Sequence, residues 1–397
     1  MKKYLTEAKI LLPKSNFDKW SVIACDQYTS EPEYWEETKA NVKDSPSALN
    51  IILPEVYLKP DNTAEINAIN QKMNEYLENG VFNTYENTIV YVERALKDGK
   101  VRNGLVGLID LEDYSFEKGA KTAVRATEAT VLERIPPRVK IRKDASLELP
   151  HVMLLIDDPD LTVIEPLNTA KDEMEILYDF ELMQNAGHIK GYKLSEKAVE
   201  AVNVALDKLK VKSQDGLLFA VGDGNHSLAT AKACYENENG SRYALVEVVN
   251  IHDLSLEFEP IYRVLFNVNP ENVIEEFLKW TADGDQNNLQ SFTFCYNGKE
   301  ETIKVKSKGA LCVATLQVFI DEYLKQNKSA VVDYIHGIES TKKLAQSENS
   351  LGIIFDGMEK SELFKAVSLD GSLPRKTFSM GCADDKRFYL EARKIKD

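Results

Sequence analysis

The chain has 397 residues, 43% of them hydrophobic, enough for a sizeable core spread over about two to three domains. Lys and Arg total 49 against 64 for Asp and Glu. The formal net charge of -15 repels nucleic-acid phosphates at long range and argues against nucleic acid as a partner, unless a local basic cleft overrides the field. No apolar run approaches the roughly 18 residues that span a bilayer. The opening Met1-Lys2-Lys3-Tyr4-Leu5-Thr6-Glu7 has no apolar signal core. A cytoplasmic protein with no membrane partner is expected.

In chain order, residues 19–24 read as a short strand and 26–30 as a polar loop. A helix then starts with Ser30 as N-cap and Pro32 in its first turn. Apolar residues at helical spacing run from 66 to 77 and stop near Gly80. Residues 88–94 and 104–111 read as strands joined through the turn-forming Lys97-Asp98-Gly99-Lys100. Another apolar strand, 152–156, is closed by Asp157-Asp158-Pro159. Residues 173–183 and 196–209 read as helices flanking Gly187-His188. The strand 217–221 follows, then a glycine turn and a helix through Cys234, then a strand at 243–249. A helix is expected from about 271, strands near 291–297 and 310–316, a strand at 352–356, a helix at 361–367 and a strand at 387–392. Strands and helices mix without strict alternation, so the expected class is α+β, with mixed sheets and flanking helices. The polar stretch 282–288 suggests a core over 1–270 and a C-terminal α+β lobe over 271–397 that packs back on it.

The densest chemistry lies in Gly222-Asp223-Gly224-Asn225-His226-Ser227. A strand that stops at glycines and opens directly into a helix aims backbone N–H groups at one spot, and the helix dipole favours an anion there. Asp223, Asn225, His226 and Ser227 crowd that turn. An ordinary capped strand-to-helix turn is the plain alternative, although His226 and Ser227 are surplus to capping. Gly222-x-Gly224-x-x-Ser227 has serine where the dinucleotide fingerprint has its third glycine, and no P-loop Lys follows.

A second cluster, residues 124–143, packs six cations into an otherwise acidic chain. Arg125, Arg134 and Arg138 carry paired N–H donors suited to phosphate or carboxylate, and Glu128 sits among them. A salt-bridged solvated helix explains the same run. A third is Leu373-Pro374-Arg375-Lys376-Thr377-Phe378-Ser379-Met380-Gly381, with Lys and two hydroxyls before a glycine, either an anion-holding loop or an exposed basic one. Asp26 and Glu31, after the first strand, are candidate general bases if the fold brings them to the turn. His151, His188, His252 and His336 are isolated and read as structural. Cys25, Cys234, Cys295, Cys312 and Cys382 form no C-x-x-C pair, so neither a zinc site nor a disulfide framework is expected.

Over nearly its whole length the chain resembles the family catalogued as domain of unknown function 1015. The resemblance lies in Trp20 to Tyr28, Gly104 to Tyr114, Arg125-Ala126-Thr127-Glu128, Pro150-His151, the 222–231 turn, Pro260-Ile261-Tyr262-Arg263 and Pro374-Arg375-Lys376-Thr377. The turn is also similar to the Asp-Gly-His-His-Arg element of the ParB and sulfiredoxin superfamily, whose members include nucleotide-binding partition proteins, sulfiredoxins and free-serine kinases. Asp223, Gly224 and His226 match that element; Asn225 replaces its first His, and Ser227 stands where Arg is common. Without that Arg, either another cation compensates or nucleotide affinity is weak. Sulfiredoxin chemistry needs a cysteine in the turn, and none is present.

The resemblance implies a ParB/sulfiredoxin-like core and a nucleotide-dependent phosphotransferase of the free-serine-kinase kind, using ATP or ADP with Mg2+. Gly222, Gly224, Asn225, Ser227, Arg125, Arg134, Arg138 and Lys376 would hold the nucleotide. Asp223 would bind the metal or orient the acceptor, His226 would donate to a phosphate oxygen, and Glu128 or Glu31 would deprotonate the acceptor. A non-catalytic nucleotide or anion sensor and a phosphoester hydrolase are the alternatives. The expected partners are a small-molecule or nucleotide ligand and a second copy of the chain in a homodimer.

Overall fold

The computed structural model describes residues 2–128, 135–213, 215–237 and 240–395. The chain is α+β, with mixed sheets and flanking helices. It divides into two compact units, Met1–Leu256 with Gly381–Asp397, and Glu257–Met380. The division expected at 270/271 therefore differs from the one observed. The reason is strand pairing. Among the described residues, Phe258–Phe266 pairs with strands of the second unit, while residues after Gly381 return to the first, where Phe388–Tyr389 pairs with Val22–Ile23 and Arg393–Lys394 with Leu147–Glu148.

The first unit is built on a nine-stranded mixed sheet. Its order is Glu175–Glu181, His188–Lys193, Val90–Ala95, Val101–Asp110, Tyr243–Asn250, Val152–Ile156, Phe219–Asp223, Val124–Arg125 and Tyr114–Ser115. Successive side chains along a strand face opposite sides, and here both sides are buried. Tyr91, Leu105, Val246 and Val248 enter one core with Leu206 and Leu228 from the helices Glu196–Lys212 and Asn225–Glu236. Val90, Val92, Val106 and Leu245 enter the other, with Trp20, Ile69, Phe388 and Leu390.

Two expected elements change type. Residues 173–183 contain the edge strand Glu175–Glu181, because Ile176, Tyr178 and Phe180 prefer a pleated surface and pair with His188–Lys193 around a bulge between Ile176 and Tyr178. Residues 310–316 begin the helix Cys312–Gln326, whose buried Leu316, Phe319, Ile320 and Tyr323 recur at three- and four-residue spacing.

The second unit has its own antiparallel sheet, ordered Lys299–Ser307, Asp285–Tyr296, Ser350–Phe355, Phe258–Phe266 and Val331–His336. Phe277 from the helix Pro270–Thr281 packs edge-on against Phe292, Phe294 and Phe319. Phe258 pairs with Met380, so the unit's entry and exit strands lie side by side. Among the described residues, no helix is long and apolar enough to cross a membrane.

Candidate functional site

The Phe219–Asp223 strand ends against Val152–Ile156 with a register shift between Val221 and Asp223. Gly224 then turns the chain at φ 82°, left-handed backbone that favours glycine. A Cβ there would also lie 3.0 Å from His151 Cδ2 and 3.1 Å from Val152 Cα. The Asn225–Glu236 helix starts at once, its first ladder bond running from Leu228 N to Gly224 O at 3.0 Å. The amides of Asn225, His226 and Ser227 precede that bond, and Gly224 supplies no side-chain cap.

The turn is braced from the second cluster. Asn225 Oδ1 accepts from Thr127 N at 3.1 Å, Asn225 Nδ2 donates to Thr127 Oγ1 at 3.2 Å, and Thr127 Oγ1 donates to Val221 O at 2.6 Å. Asn225 thus acts as a buried clamp. Asp223 Oδ1 accepts from Gly224 N at 2.9 Å, which leaves Oδ2 to face a cation from the far end of the chain. That cation is Lys386, with Nζ 3.6 Å from Asp223 Oδ2.

Lys386 is held by its neighbours in sequence. Arg102 Nη1 donates to Asp385 O at 2.5 Å, Arg94 Nη2 to Asp384 O at 3.1 Å, and Arg387 Nη1 pairs with buried Glu247 at 2.7 Å. Gly104 makes room for that glutamate, since a Cβ at 104 would fall 2.4 Å from Glu247 Oε1.

Pairing of Val22–Ile23 with Phe388–Tyr389 brings Cys25 and Asp26 to the same place. His151 Nε2 lies 3.2 Å from Asp26 Oδ2, and His151 Nδ1 lies 2.6 Å from the Tyr389 hydroxyl. Burial by itself would raise the Asp26 carboxyl. The His151 charge and hydrogen bond, a bond from Gln27 and the Lys386 charge outweigh it and hold Asp26 well below the usual carboxylate range. Burial would lower His151, but Tyr389 and Asp26 raise it well above an ordinary imidazole. Tyr389 is pushed up, chiefly by burial.

The structure therefore brings together Gly222, Asp223, Gly224, Asn225, His226 and Ser227. Glu128 directly follows the clamped Thr127. Arg138, on the helix Ile135–Arg142 that packs against Asn225–Glu236, is ion-paired with Glu55, whose amide donates to Cys25 O at 2.7 Å. Arg125 is not at the turn. Its strand pairs with the beginning of Phe219–Asp223, and its buried guanidinium donates to Asp215 Oδ2 at 2.6 Å, Asp215 O at 2.9 Å and Thr122 O at 2.9 Å. Glu31 is exposed ahead of the helix Pro32–Val42. Lys376 belongs to the second unit, where Arg263 Nη1 donates to its carbonyl at 3.0 Å. Arg134 lies outside the described residues.

His151, Lys386 and Tyr389 are site residues that sequence reasoning missed. His151 sits within the Pro150-His151 pair that carries the family resemblance, yet it has no local motif around it. Lys386 lies in the run Asp384-Asp385-Lys386-Arg387, which carries no motif of its own. Among the described residues, no group of three or more His, Cys, Asp or Glu is placed to hold a metal ion. Asp223 supplies at most one carboxylate, so a Mg2+ here would take its other ligands from phosphate and water.

The sequence matches the family described as protein of unknown function (DUF1015) over residues 8–334. The chain belongs to the DUF1015 family. No curated protein matches it. Among solved structures, a free serine kinase mutant in complex with ADP is similar at 10% identity and TM-score 0.41, covering 76% of this chain and 95% of that one. A conserved hypothetical protein from Pyrococcus furiosus is similar at 11% identity and TM-score 0.38, covering 75% and 96%. SbnI with a C-terminal truncation, from Staphylococcus aureus, is similar at 13% identity and TM-score 0.36, covering 73% and 83%.

Proposed function

We propose that this DUF1015 protein binds nucleotide phosphates at the 222–227 turn and transfers a phosphoryl group to a small hydroxyl acceptor. The observation that carries the reading is the Lys386 ammonium, held beside Asp223 at the start of the Asn225–Glu236 helix. Ser227 stands where the resembling motif has Arg, so the turn needs a cation from elsewhere. A helix N-terminus and a fixed ammonium are the two elements that stabilise a phosphoryl group's spread charge. ATP or ADP is the proposed donor. Mg2+ would join Asp223 and the phosphates, where it would neutralise developing charge. His226, in the first turn, is the proposed donor to a phosphate oxygen.

Calorimetry with ADP, ATP and inorganic phosphate tests the binding half. Incubation of the protein with ATP or ADP, Mg2+ and a panel of hydroxy-amino acids, followed by detection of phosphorylated product, tests the transfer half. Binding and transfer are expected. Binding without transfer would turn the reading into a sensor, and phosphate release without acceptor into a hydrolase. Absence of both binding and transfer refutes it.

A further inference from the structure

The chain's end delivers more than Lys386 to the turn. Three residues on, the Tyr389 hydroxyl contacts His151 Nδ1 at 2.6 Å, donates to Cys25 Sγ at 3.2 Å and accepts from Cys25 N at 3.3 Å. His151 then meets Asp26 Oδ2 through Nε2 at 3.2 Å, while Asp26 Oδ1 accepts from Gln27 Nε2 at 2.9 Å. The imidazole edge also bears on Gly224, where an added Cβ would come within 3.0 Å of Cδ2. His151 is thus fixed by Asp26 on one nitrogen, by Tyr389 on the other, and by the phosphate turn at its edge.

We propose that Asp26 receives the acceptor's hydroxyl during phosphoryl transfer, and that His151 and Tyr389 are positioning residues that fix Asp26 for it. The proposal rests on the phosphotransfer reading and deepens it by assigning the acceptor side of the site.

The reaction balances without a further reagent. The acceptor oxygen bonds to phosphorus, the bond from phosphorus to the nucleotide's bridging oxygen breaks, and its electron pair leaves with the nucleotide. The hydroxyl proton passes to Asp26 and then to water. A strong base is not required. In a loose phosphoryl-transfer transition state the nucleophile bears little charge, so orientation of an intact hydroxyl counts for more than basicity. Such a carboxylate must be ionised and fixed in rotation. His151 and Gln27 do both, one on each oxygen, while the Lys386 charge acts on the same group. Glu31, by contrast, is exposed ahead of its helix. The groups acting on His151 are Asp26, Tyr389 and Cys25, with Lys386 reaching it through Asp26 and Asp223 through Lys386.

The test compares wild type with Asp26→Asn, His151→Gln and Tyr389→Phe. Three measurements are made: ADP affinity by calorimetry, the kcat and KM of transfer from ATP or ADP to serine, and the pH titration of the His151 ring by NMR. Asp26→Asn is expected to keep ADP affinity within about three-fold while kcat falls about 10²–10⁴-fold, the range for loss of a positioned acid–base group. The His151 titration should move to lower pH in Asp26→Asn. His151→Gln and Tyr389→Phe should lower kcat less, with ADP affinity kept. An Asp26→Asn protein with full kcat, one that loses ADP binding, or an unmoved His151 titration overturns the proposal. A wild type that binds no nucleotide and transfers nothing overturns the phosphotransfer reading first, and this assignment with it. Wild-type transfer that survives Asp26→Asn overturns the assignment alone.

Discussion

Replacing Lys386 by methionine keeps the aliphatic stem and removes the charge, which isolates what the ammonium does for an anion. At 3.6 Å from Asp223 Oδ2, the gross attraction is about 5 kcal/mol at an effective dielectric near 20. Both side chains retain some exposure, 13% and 25%, so desolvation and screening reduce the net worth of the pair to the order of 1 kcal/mol. The ammonium is therefore cheaply redirected. A phosphate oxygen arriving at the helix N-terminus gains a charge-assisted bond of about 1.5–3 kcal/mol. Lys386→Met should accordingly weaken ADP and inorganic phosphate about 10–150-fold. Asp223→Asn should act in the opposite direction on inorganic phosphate, by removing a competing anion, and bind it several-fold more tightly. Calorimetry at low and at physiological salt reads both effects, and the Lys386 contribution should shrink as salt rises. Lys386→Met binding phosphate within three-fold of wild type, at low salt and with an unchanged melting temperature, would refute the idea that this cation replaces the missing Arg.

The parts of this molecule legible in the sequence are those written in contiguous residues. Leu217-Leu218-Phe219-Ala220-Val221 followed by Gly222-Asp223-Gly224 announces a strand, a tight turn and a helix, because five apolar residues want a buried strand and a φ of 82° favours glycine. The partners that make the turn a site lie far away in sequence. Thr127 is 98 residues from Asn225, and Tyr389 is 238 residues from His151. Nothing in a single sequence reports such pairings. Arg125 shows the converse. Its cation-rich neighbourhood suggests a phosphate grip, but strand pairing sets it at the wrong end of Phe219–Asp223, where Asp215 uses its charge. The boundary at Leu256 was hidden for a related reason. Residues 285–288 of the polar stretch begin the strand Asp285–Tyr296 of the second unit, whereas the break falls between Tyr243–Asn250 of one sheet and Phe258–Phe266 of the other.

Three further outcomes follow from the geometry. Gly224→Ala places a side chain in left-handed backbone and against His151 and Val152. It should cost about 2–4 kcal/mol in urea unfolding and weaken phosphate binding as well. Asn225→Ala leaves the buried Thr127 amide without its acceptor, which should cost about 1–3 kcal/mol and loosen the turn, seen as faster amide exchange at Thr127. The Asp26–His151 pair predicts how stability depends on pH. The folded Asp26 carboxyl is depressed below its ordinary 3.8, so its contribution is fully present above about 4 and is lost as pH falls toward the depressed value. The folded imidazole is raised above its ordinary 6.5, so its contribution is fully present below about 6.5 and is lost as pH climbs through the raised value. The stability gap between wild type and Asp26→Asn should therefore peak between about pH 4 and 6.5, narrow below it and narrow again well above it. Lys386 also holds Asp26, so the gap should stay open on the alkaline side even after His151 has lost its proton. Urea unfolding of both proteins across pH 3–9 measures the curve. A gap that stays level from about pH 4 up to pH 9 would mean that His151 carries no charge beside Asp26 and that Lys386 alone holds the carboxylate.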